Sequence, residues 1–230
     1  MRISGLQKLS MVDYPDKLAA TVFTGGCNLR CPFCHNAPLV LRVSETPELT
    51  QEEVLSFLRS RQKLLDGVVL SGGEPLLQQG AAEFLREVHA LGFAVKLDTN
   101  GCYPEALASV LEQGLVDYVA MDIKNRPEKY AETVGIPDFN ITPVQESIKL
   151  LQASGADYEF RTTVVREFHT ADDIRAIGEW LRGSQHYYLQ QFVDSGDLVG
   201  RNCRGHDALT LRAFLRIAEP YFASVGIRGI

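Results

Sequence analysis

The sequence predicts an α/β fold, a partial (open) TIM-type barrel of about six βα units. Three observations carry that expectation. Short β-branched runs alternate with longer amphipathic stretches, the order that yields a parallel sheet with right-handed crossovers. Two of the later runs are polar along one face only, which suits a strand between a barrel lumen and a helix layer better than one between two helix layers. The alternation stops at six units, short of the eight that close a barrel.

The first strand is expected at 18–24 and runs directly into a cysteine-rich loop. A helix near 51–65 follows, opened by Thr50 as N-cap with a capping residue three positions on. The second strand, 68–71, leads into Ser71-Gly72-Gly73-Glu74-Pro75 and a helix near 78–91 that should stop at Gly92. Asp98-Thr99-Asn100-Gly101 ends the third strand, 94–99, and the helix near 104–113 should stop at Gly114. In the fourth strand, 118–124, Asp122 and Lys124 share a face; a helix near 143–154 then runs to Gly155. In the fifth, 158–165, Glu159, Arg161 and Thr163 lie opposite Tyr158, Phe160, Thr162 and Val164. Thr170 before Asp172 and Asp173 opens a helix near 172–182, and the sixth strand is expected at 187–193 before a last helix near 208–219.

No linker or low-complexity segment divides the 230 residues, so one domain over 1–230 is expected, with its core at about 18–195 and a C-terminal helix and tail at 205–230. The net charge of -6 argues against a nucleic-acid partner, which would favour a basic face. No run approaches the ~18–20 apolar residues that cross a bilayer. The N-terminus lacks the apolar run of a signal peptide, and a cytoplasmic protein is expected.

Cysteines stand at 27, 31, 34, 102 and 203, an odd number and a poor disulfide framework. In a reducing compartment such crowding points to metal or redox chemistry. The spacing C-x3-C-x2-C of Cys27, Cys31 and Cys34 can ligate three irons of one cubane, and Gly25 and Gly26 let the backbone fold tightly around it. The fourth iron would then be open for chemistry. Three other readings stand beside it: a C-x-x-C-H haem attachment over 31–35, a zinc site that adds His35, and buried cysteines that merely cluster. Cys102, Cys203, His89, His169, His186 and His206 have no constellation around them and read as packing or surface residues.

With Phe33 as the aromatic before the last cysteine, the loop resembles that of the radical S-adenosylmethionine superfamily. The resemblance implies a [4Fe–4S] cluster on Cys27, Cys31 and Cys34 that cleaves S-adenosylmethionine reductively to a 5′-deoxyadenosyl radical. Gly72, Gly73 and Glu74 resemble the family segment that meets the methionine amino group. Asp98, Asp122 and Lys124 resemble positions lining the cofactor pocket in activating enzymes of glycyl-radical proteins, closest to the pyruvate formate-lyase activase. There the acidic positions are associated with a monovalent cation, and Lys124 would meet the methionine carboxylate. Arg161 matches a further cofactor contact, with a lumen ion pair to Asp122 as the structural alternative. The family's histidine in the sixth strand is replaced here by Phe192, beside Gln190 and Gln191.

Gly5-Leu6-Gln7-Lys8-Leu9-Ser10 and Asp13-Tyr14-Pro15, with the cysteine loop, are similar to the activating proteins of anaerobic (class III) ribonucleoside-triphosphate reductases. That likeness implies a large glycyl-radical partner and a flavodoxin- or ferredoxin-type electron donor. The alternatives are another glycyl-radical enzyme as target, a small-molecule substrate such as a purine-like precursor, or an electron carrier. A carrier would call for a fourth cysteine ligand.

Overall fold

A computed structural model describes residues 1–230. Eight strands form one sheet in sequence order. β1 (Ile3–Ser10) pairs antiparallel with β2 (Ala19–Thr24). β3 (Gly67–Gly72), β4 (Ala94–Thr99), β5 (Tyr118–Asp122), β6 (Asp157–Val164), β7 (His186–Gln191) and β8 (Ser224–Arg228) then add in parallel. β1 and β8 stand at opposite ends of that order, so the barrel is open, as expected. The helices are α1 (Ala37–Leu41), α2 (Gln51–Arg59), α3 (Ala81–Ala90), α4 (Pro104–Glu112), α5 (Tyr130–Val134), α6 (Thr142–Ala153), α7 (Ala171–Trp180) and α8 (Ala208–Ala218). None is long and apolar enough to cross a membrane.

The expected start signals are present. Thr50 accepts the Glu53 N–H and the Glu53 carboxylate accepts the Thr50 N–H, and Thr170 and Asp173 repeat the arrangement at α7. Gly92 and Gly114 sit past α3 and α4 with φ of 85° and 62°, the left-handed cap that glycine adopts without penalty. Gly155 does not: α6 ends instead at Ser154 in extended geometry.

Two strands depart from the expectation. β1 has its register shifted twice against β2, between Ile3 and Gly5 and between Gln7 and Ser10, which blurs the period-2 pattern. β8 is short and carries Gly226, where a Cβ would crowd the Tyr188 ring. The expected core limits of 18–195 are therefore too narrow, because the sheet runs from Ile3 to Arg228. The segment expected as a tail is held by a buried charge: Arg228 donates to both oxygens of Glu159 at 2.5 and 2.6 Å, and Glu159 also accepts from the Tyr118 hydroxyl at 2.7 Å.

Apolar residues on the outer face of the strands meet the helices in one cluster of 46 buried residues. On the lumen side Tyr14, Ala19 and Val69, with Ala94 and Tyr118 against them, plug the barrel floor. Above that plug the lumen turns polar.

His169 packs where β6 turns into α7. The Val165 N–H donates to its Nδ1 at 3.1 Å and its Nε2 donates to the Lys124 carbonyl at 2.8 Å. Burial holds its pKa at about 4 against an ordinary 6.5. The folded pKa is depressed, so this stability is complete above pH 6.5 and is lost as pH falls towards about 4, where the unfolded chain takes up a proton that the folded chain refuses. The loss should be on the order of 2–3 kcal/mol. Urea titrations of the parent and His169→Asn across that window should show a flatter profile for the variant.

Candidate active site

The loop after β2 and the turn after β3 are locked together through their backbones. The Gly73 N–H donates to the Thr24 carbonyl at 2.9 Å, and the Glu74 N–H donates to the Gly26 carbonyl at 2.8 Å. A Cβ on Gly73 would overlap the Gly26 carbonyl oxygen, and Gly72 has φ 122° with Thr24 directly opposite. Only glycine fits this approach. The result sets Cys27, Cys31 and Cys34 beside the two-glycine turn.

The residues expected to hold the cluster and the cofactor line one cavity of about 340 Å³: Cys27, Cys31, Phe33, Cys34, Gly72, Gly73, Glu74, Asp98, Asp122, Lys124 and Arg161. That size lies within the range of small-molecule sites, ~300–1,000 Å³. Phe33 is buried and packs against Phe168, 5.7 Å between ring centres, so it anchors the loop into the core. Burial pushes the Cys27 thiol up to about 11 and the Cys31 thiol up to about 12. These cysteines and the other potential ligands do not converge on a single ion. Three cysteine thiols facing one cavity suit a multi-iron group that takes one thiolate on each of three irons.

Behind the thiols runs a ladder of alternating charge. Lys96 pairs with Asp98, and Arg161 reaches Asp98 at 3.2 Å and Asp122 at 2.5 Å. Lys124 closes the ladder on Asp122 at 2.9 Å, and the Ser71 hydroxyl donates to Asp98 at 3.0 Å. The lumen ion pair foreseen between Asp122 and Arg161 is therefore present. Burial pushes both carboxyls up, but Arg161, with Lys96 on one side and Lys124 on the other, outweighs it and holds both below the ordinary carboxylate range. The acids in turn hold Lys124 and Arg161 above their ordinary values against the pull of burial.

Glu74 sits differently from its neighbours. Its carboxylate is fully buried and accepts from the Leu76 N–H at 3.0 Å, the Thr99 hydroxyl at 2.8 Å and the Asn100 N–H at 2.7 Å. It braces the turn after β3 against the end of β4. Burial lifts its pKa to about 7 despite those donors.

Some of the site was not singled out in the sequence. Lys96 is almost wholly buried beneath Asp98. Asn28 and Asn100 join the cysteine loop to the end of β4, Asn100 Nδ2 donating to Asn28 Oδ1 at 2.9 Å. Near the open side, Phe192 is buried in the core, whereas Gln190 and Gln191 line the cavity. Gln191 donates to the His206 carbonyl at 2.6 Å, and its Oε1 is buried without a partner. Cys102 and Cys203 lie outside the cavity lining.

Comparison with known proteins agrees with this geometry. The model of the Radical SAM superfamily matches residues 21–181. The chain is 35% identical over 237 residues to a candidate glycyl-radical enzyme activating enzyme of Methanocaldococcus jannaschii, covering 99% of this chain and 96% of that protein. It is 36% identical over 132 residues to the pyruvate formate-lyase-activating enzyme of Clostridium pasteurianum, covering 54% of this chain and 52% of the relative. The structure of Streptococcus suis SuiB bound to S-adenosylmethionine shares the fold, with a TM-score of 0.73 at 14% identity over 90% of this chain and 49% of that one. A family match that begins within β2, before the cysteine loop, and ends just past α7 covers all of the cavity lining except Gln190 and Gln191. The chain belongs to the radical SAM superfamily, whose members bind a [4Fe–4S] cluster and S-adenosylmethionine, and it is related to the glycyl-radical enzyme activating enzymes.

Proposed function

We propose that this chain activates an anaerobic ribonucleotide reductase by generating a glycyl radical on it, with Cys27, Cys31 and Cys34 as the ligands of its [4Fe–4S] cluster. The observation that carries the reading is the convergence of three thiols, a two-glycine turn and an alternating charge ladder on one cavity of an open barrel. The likeness of residues 5–15 and of the cysteine loop to class III reductase activating proteins supports this particular target.

When bound, the cluster supplies the single electron that cleaves S-adenosylmethionine to methionine and a 5′-deoxyadenosyl radical, the species that removes hydrogen from the partner's glycine. The protein's own part is orientation. Gly72 and Gly73 bring backbone close to the methionine amino group, while Glu74 fixes their turn from behind. Lys124 presents a point charge to the methionine carboxylate, kept protonated by Asp122. Arg161 fixes Asp98 and Asp122, and a monovalent cation at those acids would compete with it for the same oxygens. The apolar floor under the ladder keeps water from entering from below. The electron comes from a flavodoxin- or ferredoxin-type donor.

Lys124→Ala should weaken S-adenosylmethionine binding by about 1–3 kcal/mol, the scale of a hydrogen bond to a charged group. Equilibrium binding to the reconstituted protein measures this, and an unchanged affinity would assign Lys124 to the ladder alone.

The function is tested anaerobically. The chain is reconstituted with iron and sulfide, reduced and supplied with S-adenosylmethionine, with a class III ribonucleotide reductase or a pyruvate formate-lyase as partner. A glycyl-radical EPR signal on the reductase alone, with 5′-deoxyadenosine formed, supports the proposal. A signal only on the lyase reassigns the partner. Turnover of a small molecule with no protein partner removes the activase reading.

A further inference from the structure

Around the cysteine loop, one buried side chain has no part in the chemistry above. Asn100 is 5% exposed, and every polar atom of its carboxamide is committed. Its Oδ1 accepts the Cys102 N–H at 3.0 Å, while its Nδ2 donates to Asn28 Oδ1 at 2.9 Å and to Cys27 Sγ at 3.8 Å. Its own N–H is tied to Glu74 at 2.7 Å. Because Cys102 requires an acceptor on one side and Asn28 a donor on the other, the amide cannot flip. The hydrogen bonds of the chain bring no other side-chain N–H to a sulfur of the C-x3-C-x2-C motif. Cys27 also receives the Leu29 backbone N–H at 3.4 Å, so it is the thiol with donors on two sides.

We propose that Asn100 is a positioning residue that sets the reduction potential of the cluster, acting through its hydrogen bond to Cys27. This rests on the reading that Cys27, Cys31 and Cys34 hold a [4Fe–4S] cluster. Reduction adds one electron with no bond made or broken, and the added charge spreads onto the ligand sulfurs. An N–H aimed at a thiolate stabilises the more negative, reduced form, and hydrogen bonds to sulfur are among the determinants of such potentials. A low-dielectric surrounding strengthens the effect. Asn28 holds the donor in place, and Glu74 positions the backbone from which it extends. The turn after β3 thereby reaches the cluster electrically as well as sterically.

The experiment is an EPR-monitored redox titration of the reconstituted chain without S-adenosylmethionine, dithionite supplying the electron. Iron content is measured on each sample. Asn100→Ala removes the donor. Asn100→Asp keeps an acceptor for the Cys102 N–H while removing the donor, so the turn is retained. Asn36→Ala is the control, since its amide donates to the Gly72 carbonyl at 3.4 Å and to no sulfur. Both Asn100 variants should keep about four irons per chain. At a fixed potential their reduced-to-oxidised ratio should fall about three- to tenfold, tenfold being about 59 mV for a one-electron couple. Asn36→Ala should titrate with the parent.

An unchanged midpoint in both Asn100 variants overturns the proposal, as does an equal shift in the Asn36 variant. Loss of the cluster from both Asn100 variants also overturns it, making Asn100 a prop of the ligand loop. Failure of the parent chain itself to bind four irons would show before any variant is made, and would tell against the cluster reading instead.

Discussion

Cys27→Ala abolishes 5′-deoxyadenosine formation and lowers the bound iron: this is the largest change expected of any single substitution in the chain. Three thiols face the cavity, and two cannot hold a cubane that needs a ligand on each of three irons. The nearest candidate for rescue is Cys102, which shares the Asn28 side chain with Cys27. That thiol lies outside the cavity lining, so it is a poor substitute. Cys102→Ala and Cys203→Ala should therefore keep both iron and cleavage. The folded chain without cluster should tolerate Cys27→Ala within about 1 kcal/mol in urea, because only one sulfur is removed from a half-buried loop. Retained cleavage in Cys27→Ala would strike it from the ligand set. Retained iron without cleavage would leave it a ligand position that can be bypassed for assembly and not for chemistry.

The largest stability effect belongs to the far edge of the sheet. Arg228→Ala leaves Glu159, which is fully buried, with the Tyr118 hydroxyl as its remaining partner. Breaking a buried pair costs ~3–5 kcal/mol when the survivor stays charged. Arg228 is itself 32% exposed, so part of its interaction is screened, and about 2–4 kcal/mol is expected here. The same change removes a guanidinium stacked 3.8 Å from the centre of the Tyr188 ring. Denaturant titration gives the magnitude. Limited proteolysis should show cleavage near β8 before the rest of the sheet opens. Glu159→Gln in the Arg228→Ala background should recover much of the loss, since the glutamine oxygen still accepts from Tyr118 and no charge is stranded. No recovery would mean that Arg228 works through packing rather than charge.

The fold could be read from the sequence wherever strand and helix periods were unbroken. The polar face of Glu159, Arg161 and Thr163 pointed to a lumen, and Arg161 and Thr163 do line the cavity. The same alternation applied to β4 puts Lys96 and Asp98 on one face, so the buried lysine was readable but hidden among residues of better-known pattern. β1 and β8 were missed for physical reasons: register shifts in one and a glycine in a short strand in the other leave no clean period. Asn28 and Asn100 gave no local signal, because their bond joins loops 72 residues apart and depends on how two turns meet. Glu74 shows the opposite difficulty. The motif was legible, but it could not tell an acceptor facing a ligand from a carboxylate already spent on three protein donors.

The charge ladder bears on how this protein can change over generations. Lys96, Asp98, Arg161, Asp122 and Lys124 alternate in sign, and each acid faces two cations. Exchanging one rung leaves a neighbour charged and short of a counter-ion in a place that water reaches poorly. Single replacements should therefore be costly even where the replaced residue lies outside the cavity lining, as with Lys96. Descendants that depart from this set should do so in compensated pairs, Lys96 with Asp98 or Asp122 with Lys124. Variation of the ladder among relatives should therefore follow spatial neighbours rather than sequence neighbours.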